Sequence, residues 1–461
     1  MKKILTHLSF LSLRTSHGCV KGMIYISFFG LIATVSFSCD KDSTDESKEK
    51  ILTYEDSLEL GLITPPDTTG NDPQEPSTPT KNIKVTIDGI IYNLNENKHT
   101  ATVLGVERED IKSILIPESV HFNNNDYPVD TIGDGAFYYK TKLEKVKIKG
   151  ENLKVIGQMA FEKCFRLINI DLPNSVTEIS HHAFFNSGLS GSLILPKNLI
   201  KIGKNAFRIC YFESVVFQSN LETIGQEAFY NCRYLKKLTI PKVKNIEASA
   251  FEYCRELKSV VINDGLEMIG EKAFYECRKI NEVQIPKTLK SIGEDAFLNC
   301  VSIRKVVIED VSSWCRLSFS NSSSNPLILG SRLFNINKEE IKEIVIPEDI
   351  TSIGQYVFAG CESLNKVIIP ENVSIIGHGA FMACKNIEFL SLSENINEIG
   401  NSAFSNCRIP VIYCYASKVP KTGSLAFYGG ESGVTLHVPV QSISLYKASA
   451  PWKYFGKIVG F

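Results

Sequence analysis

Tryptophan occurs twice and methionine five times in 461 residues, and neither sign of charge prevails, since 50 lysines and arginines stand against 51 aspartates and glutamates. A net charge of −1 removes the global electrostatic case for nucleic acid as a partner. The eight histidines, at 7, 17, 99, 121, 181, 182, 378 and 437, form no H-E-x-x-H, and His181-His182 occupies a variable turn where a surface role is commoner than ligation. Neither a G-x-S-x-G elbow nor a glycine-rich phosphate loop opening a helix occurs, and no carboxylate pair is nominated for glycoside hydrolysis. These absences argue against an enzyme, a metal site and a cofactor. No apolar run reaches the roughly 20 residues that a membrane helix needs. The longest, Met23 to Ser38, stops at 16.

What fills the chain instead is repetition. The clearest copy is Ile280–Cys300, INEVQIPKTLKSIGEDAFLNC, and its Phe is followed through Phe137, Phe161, Phe184, Phe207, Phe229, Phe251, Phe274, Phe297, Phe334, Phe358, Phe381, Phe404 and Phe427. Successive spacings are 22 to 24 residues, with one of 37 between Phe297 and Phe334. A period near 23 predicts a stacked solenoid. Within a copy, Ile280, Val283 and Ile285 alternate as an inward-facing strand that Pro286 ends, and Leu289 and Ile292 form a second extended piece. Gly293 then permits a tight turn, and Glu294–Phe297 reads as a helical turn that drops Phe297 inside. One copy cannot cover these side chains, so its neighbours must; at about 4.8 Å per coil, some thirteen copies give a rod on the order of 60 Å.

The skeleton L-x-x-V-x-I-P-x-x-L-x-x-I-G-x-x-A-F-x-x-C resembles the BspA-type bacterial leucine-rich repeat over roughly residues 83 to 461. The resemblance implies a β-rich repeat solenoid with short helical turns and caps at both ends. It also implies a cell-surface protein that binds protein ligands in adhesion. Alternative roles are glycan capture, for which clustered exposed Trp and Tyr are expected, and a purely structural surface component, whose mark is self-association.

Nine cysteines, Cys164, Cys210, Cys232, Cys254, Cys277, Cys300, Cys361, Cys384 and Cys407, share the place three residues after the Phe. Side chains on parallel coils point the same way, which holds their Cβ atoms about 4.8 Å apart, too far for a disulfide. Ser187 and Lys140 take the same place in other copies, and C-x-x-C pairs are lacking, so a ladder of buried thiols is expected.

Residues 1–38 read as an export signal, with Lys2, Lys3, Arg14 and Lys21 ahead of the apolar run. The basic part is long, so either translation starts nearer Met23 or the signal is a long variant. Cys39 after Ser36-Phe37-Ser38 resembles a loose lipobox, Phe37 being the departure, and the acidic DKDSTDE that follows resembles the tag that sends lipoproteins to the outer face of the outer membrane. The alternatives are an ordinary signal with an incidental Cys, or a short uncleaved anchor. Residues 39–82, rich in Pro, Thr and Asp, read as a lipidated tether with O-glycosylation patterns at Ser43, Ser57 and Thr68. Residues 83–130 read as an N-terminal β cap with a hairpin turn at Asp88-Gly89, 131–408 as the solenoid with an irregular coil over 309–334, and 409–461 as a degenerate last repeat and C-terminal cap. In the irregular coil Trp314 and Phe319 are expected to pack beneath the surface and Asn321 to Asn325 to form an exposed polar loop. Trp452 and Phe455 are expected to plug the last coil.

The outward strand positions supply the candidate binding face. The residue between Val and Ile of the repeat is Val216, Thr239, Val261, Gln284, Val307, Val345 and Ile368 in successive copies, and earlier positions on the same strands supply Lys236, Lys237, Lys258, Arg304, Lys305, Lys342 and Lys366. A β-branched column serves sheet stability equally well. Bordered by cations, it suits an extended extracellular protein partner with acidic patches, with the membrane reached only through a lipid. Replacing Cys39 by Ala should release the protein from membranes or leave it unprocessed; unchanged partitioning with an acyl-free Cys39 would refute lipidation.

Overall fold

The computed structural model describes Ile24–Phe28, Leu31–Val35 and residues 81–461 other than 219, 220 and 241. Two compact units are separated, Met1–Thr69 and Gly70–Phe461. In the first, the two short segments pair as antiparallel strands. Cys39, Ser43, Ser57 and Thr68 lie outside the described residues. No described helix is long and apolar enough to cross a membrane.

The second unit is a solenoid of parallel coils, and each coil has three sides. One is the V-x-I strand: a seven-stranded parallel sheet runs from Ser190–Ile194 to Arg332–Phe334, and a six-stranded one from Glu343–Val345 to Lys457–Gly460. The second side is the two-residue strand that ends in the Ile before Gly. It stacks Ile156, Ile179, Ile202, Ile224, Ile246, Ile269 and Ile292 in one register and closes on Phe319. The cap strands Asn82–Ile87, Ile90–Asn95 and Thr100–Val106 form an antiparallel meander and join that second sheet through Asn125–Ile132. Asp88 and Gly89 turn the hairpin with positive φ.

The third side carries the Phe. Its ring is buried and lies 5.0 to 5.5 Å from the next, nearly parallel to it, from Phe137 through Phe297 and again from Phe358 through Phe427. Phe334 departs from the expected register: it ends an outward strand, opposite Val307, and is only half-buried. The 37-residue spacing thus marks a break in the column, which consists of eight rings and then four.

Around every ring of the column, the residues two before and two after have positive φ, as do Asp295 and Asn299 around Phe297. Alternating hands of helical backbone point alternate amides the same way. Gly135, Phe137 and Tyr139 accordingly donate to the carbonyls of Gln158, Ala160 and Glu162 one coil on, at 2.8 to 2.9 Å, while the amides between them close turns within the coil, such as Ala136 to Gly133. The pattern recurs in Lys272, Phe274 and Glu276 toward Glu294, Ala296 and Leu298. Each helical turn of the repeat is therefore a rung of a second, one-directional ladder.

The repeat's Gly has a different task from the one its sequence suggests. Gly293 is absent from the positive-φ residues, but a Cβ there would meet the backbone N of Glu271 at 2.5 Å. Gly203, Gly225, Gly270, Gly377 and Gly400 meet the preceding coil at 2.6 to 2.8 Å in the same way. Close approach of coils, rather than turn geometry, requires them.

The described cysteines are free and buried, as their shared inward position predicts. Of the nine thiols that share the repeat position, all but one donate to the carbonyl of the Phe one coil back, as Cys164 does to Phe137 at 3.1 Å and Cys407 to Phe381 at 2.9 Å. Cys361, which follows the break, instead contacts Ser363 Oγ at 3.2 Å. Burial pushes the thiols of Cys164, Cys210, Cys254 and Cys300 up to about 12. At the far end Trp452 and Phe455 pack on Phe427 at 5.2 and 5.1 Å, and Tyr446 lies behind Trp452.

A group whose pKa is raised by folding stabilises the fold below its unfolded pKa, about 8.5 for Cys, and ceases to do so as pH climbs through the folded value. The melting temperature should therefore fall between about pH 9 and 12 yet hardly respond to reductant at neutral pH, and thiol reagents should reach these cysteines only on unfolding. A large loss of melting temperature under reductant would show that disulfides exist after all.

Candidate binding face

The strand side faces outward along its whole length because V-x-I alternates, with Val and Ile inside and their neighbours out. Val216, Val261 and Val345 are exposed at 44, 39 and 58%, Thr239 is exposed, and Gln284 and Ile368 are half-buried, so the column exists as a surface. Val307 is the exception at 4% exposed. It sits on the strand next to Phe334, which explains its loss from the face.

The cations divide into three groups. Lys236 is bound to Glu213 at 2.6 Å and Lys366 to Glu343 at 3.1 Å, each one coil away, and the same arrangement joins Lys201 to Glu178, Lys279 to Glu256 and Lys290 to Glu267. Such exposed pairs add little to stability, but they cancel the charge expected of this border. Arg304 folds back to donate to the carbonyls of Val301 and Ile303 at 3.1 and 2.9 Å, and Lys305 lies over the Phe334 ring at 5.4 Å. Lys237, Lys258 and Lys342 are exposed and, among the described residues, in no ion pair.

Between the two strand sheets the face opens. A cleft of about 650 Å³ is lined by Val301, Arg304, Leu329, Gly330, Arg332 and Glu362, and a second of about 460 Å³ continues from Arg332 and Glu362 to Lys342, Lys385 and Arg408. Arg332 reaches Glu340 at 3.4 Å on its wall. Gly330, at φ 85°, leaves room for Glu362, whose Oε1 would stand 2.6 Å from a Cβ there.

The irregular coil positions this opening by splicing two ladders. The last amides of the first block find acceptors in it: Asp295 N–H donates to Asn321 Oδ1 and Phe297 N–H to the Ser323 carbonyl, both at 3.3 Å. The first carbonyls of the second block find donors: Asn325 Nδ2 donates to Tyr356 and Val357 at 2.6 and 3.0 Å, and Trp314 Nε1 to Val357 at 3.0 Å. Asn321 also caps the single turn Ser322–Ser324. The exposed loop expected over Asn321–Asn325 is thus overturned, because Ser324 and Asn325 are fully buried. Trp314 and Phe319 do pack together beneath it, at 5.5 Å.

One part of the face was missed. Near the C-terminal cap, Tyr413 stacks on His437 at 4.2 Å and approaches Phe389, while Tyr415 and Phe461, 44 and 48% exposed, lie 5.0 Å apart beside them. Extending the V-x-I template beyond Ile368 reaches Ser391, Tyr413 and His437; Tyr415 and Phe461 carry no repeat signal. Among the described residues no cluster of His, Cys, Asp and Glu is arranged for a metal ion.

A family model described as "BspA type Leucine rich repeat region (6 copies)" matches residues 130–254, 200–326 and 314–432. No curated protein matches the chain. Among solved structures, a leucine-rich repeat protein of Bacteroides ovatus is 23% identical, with a TM-score of 0.51, 82% of this chain and 99% of that one being covered. A leucine rich cell surface protein of Faecalibacterium prausnitzii is 24% identical, with a TM-score of 0.39 and coverage of 82% and 94%. The first likeness shows a common fold.

Replacing Asn325 by Ala leaves the Tyr356 carbonyl without a side-chain donor, the Val357 carbonyl with Trp314 alone and the Leu327 N–H without its acceptor, and should destabilise the protein by about 1 to 3 kcal/mol, against less than about 0.5 kcal/mol for Lys258→Ala on the surface. Denaturant midpoints compare the two. Equal, small effects would mean that the splice is held by something other than Asn325.

Proposed function

The chain belongs to the BspA type leucine-rich repeat family, and from that premise we propose that it is a non-enzymatic surface lipoprotein whose outward strand face binds an extracellular protein. In this reading acyl groups on Cys39 hold it to the outer face of the outer membrane, residues 40–82 tether the solenoid to that anchor, and Ser43, Ser57 and Thr68 are glycan acceptors. The partner is an extracellular matrix protein or a protein of a neighbouring cell.

The observation that carries the reading is the exposed column Val216, Val261 and Val345 beside the unpaired Lys237 and Lys258 and the open cleft at Lys342. A rigid ladder presents this surface without ordering cost, apolar contact supplies affinity, and uncompensated cations steer an acidic partner. Val307 is withdrawn from it beside Phe334, whereas Arg304 and Lys305 stay exposed on it, Arg304 bonded to its own backbone and Lys305 over the Phe334 ring. A second reading, glycan capture, is favoured by the cluster of Tyr413, Tyr415, His437 and Phe461, since sugar rings pack on exposed aromatic surface.

The Gly70–Phe461 unit, screened against immobilised matrix proteins and a glycan array, should bind at least one matrix protein. The variant Val216→Asp/Val261→Asp/Val345→Asp should weaken that binding at least tenfold, and Lys237→Glu/Lys258→Glu should slow association and flatten its salt dependence. Binding to glycans alone, abolished by Tyr415→Ser, would replace the protein-ligand reading by the second.

A further inference from the structure

The first two V-x-I strands carry a different chemistry from the rest of the face. Ser113–Ile116 pairs in parallel with Lys145–Ile148, and the alternation turns Leu115, Lys145 and Lys147 outward. Lys149 follows two residues on and is exposed, as are Lys112 and Lys142 beside the same strands. Among the described residues none of these five lysines is in an ion pair, whereas later coils answer their lysines with a glutamate one coil away. The nearby acids are largely engaged, Glu109 by Lys140 at 2.6 Å and Glu144 by Arg166 at 3.3 Å. Glu118 lies against Gly150, and Asp171 borders the patch through the bridge of Val146 to Ile170. With Glu151, which accepts from Ser175 N–H at 3.0 Å, five ammonium groups thus confront three carboxylates that are in no ion pair among the described residues.

Large aliphatic side chains stand exposed among these charges. Leu115 faces Lys147 directly in register and is 45% exposed, and Ile168, one coil on, is 58% exposed. A soluble polyanion would neutralise the lysines and leave both aliphatics in water. A lipid surface satisfies both, with phosphate at the ammonium groups and hydrocarbon against the aliphatic tips.

We propose that the outward side of these two coils, Lys112, Lys142, Lys145, Lys147 and Lys149 around Leu115, is a docking surface for a membrane bearing anionic phosphate headgroups. These are the first coils after the proposed tether in chain order, so docking would lay the solenoid's beginning on the surface that anchors it. The surface stands on its own residues and not on the protein-ligand reading; only its placement near a membrane rests on the Cys39 anchor.

The test uses the Gly70–Phe461 unit, a compact body that holds the described core and lacks Cys39, with vesicles of equal parts phosphatidylglycerol and phosphatidylcholine at low salt. It should co-sediment with these vesicles and not with pure phosphatidylcholine. At about 1 kcal/mol per cation near an anionic surface, Lys145→Gln/Lys147→Gln/Lys149→Gln should lower partitioning roughly 100-fold with no change in melting temperature. Lys237→Gln/Lys258→Gln should leave it unaltered, which separates this surface from the protein-binding one. Leu115→Ser/Ile168→Ser should weaken vesicle binding while sparing binding to heparin. No vesicle binding by the parent unit, undiminished binding by the triple variant, or vesicle binding indifferent to Leu115 and Ile168 would each overturn the assignment, the last in favour of a soluble polyanion.

Discussion

Within each block, every coil of the Phe column is tied to the next by three amides that all point the same way, and the rest of the solenoid is arranged around that constraint. The amides two before, at and two after each Phe can align only if the flanking residues take left-handed backbone, at a cost of about 1 to 2 kcal/mol for each L-residue. All but five of the non-glycine residues with positive φ occupy these two places, the others being Asp88, His99, Asn123, Asn124 and Lys338. Asn186, Asn231 and Asn299 accept the conformation easily, but Ile209, Leu425 and Tyr356 adopt it too. Inter-coil hydrogen bonds and the buried ring they bracket must offset the strain. The same stacking explains the thiols, since a Phe carbonyl already bonded within its coil has a second lone pair that a small buried donor can fill.

A ladder with one direction has unlike ends. Where it stops, an amide must find an acceptor, and where it starts, a carbonyl must find a donor. Asn321 and Asn325 meet these opposite needs within one irregular coil, and Glu431 accepts from Gly429 and Gly430 at 3.0 and 3.2 Å beyond the last ring. The cleft beside Arg332 and Glu362 is a by-product of that splice, because both β sheets are interrupted where the ladders are joined.

Much of this was legible in the sequence because inward positions must repeat: the Phe column, the Ile column, the thiol ladder and the plug of Trp452 and Phe455 are each demanded once per coil or once per end. What was not legible depends on register across the interruption. Phe334 lies 24 residues before Phe358, so its spacing fits the column, yet a strand pairing with Lys305–Val307 turns it outward and covers Val307. Asn321 to Asn325 are polar and serine-rich, as loops are, and only the orphaned amides and carbonyls of two blocks make them interior. The candidate face suffered similarly, since a lysine's partner one coil away is 23 residues distant and is invisible to a local reading.

The one-directional ladder also bears on how such a chain can change its length. Each coil presents to its successor the same donors it receives from its predecessor, so a duplicated coil satisfies both neighbours and leaves the two ends untouched. The solenoid can therefore lengthen by whole coils through simple tandem duplication of the coding sequence, with no redesign of either cap. Deleting part of a coil, or joining two blocks out of phase, leaves amides facing amides, and the asparagine-bearing splice between Phe297 and Phe358 has the form expected where such a junction was made tolerable.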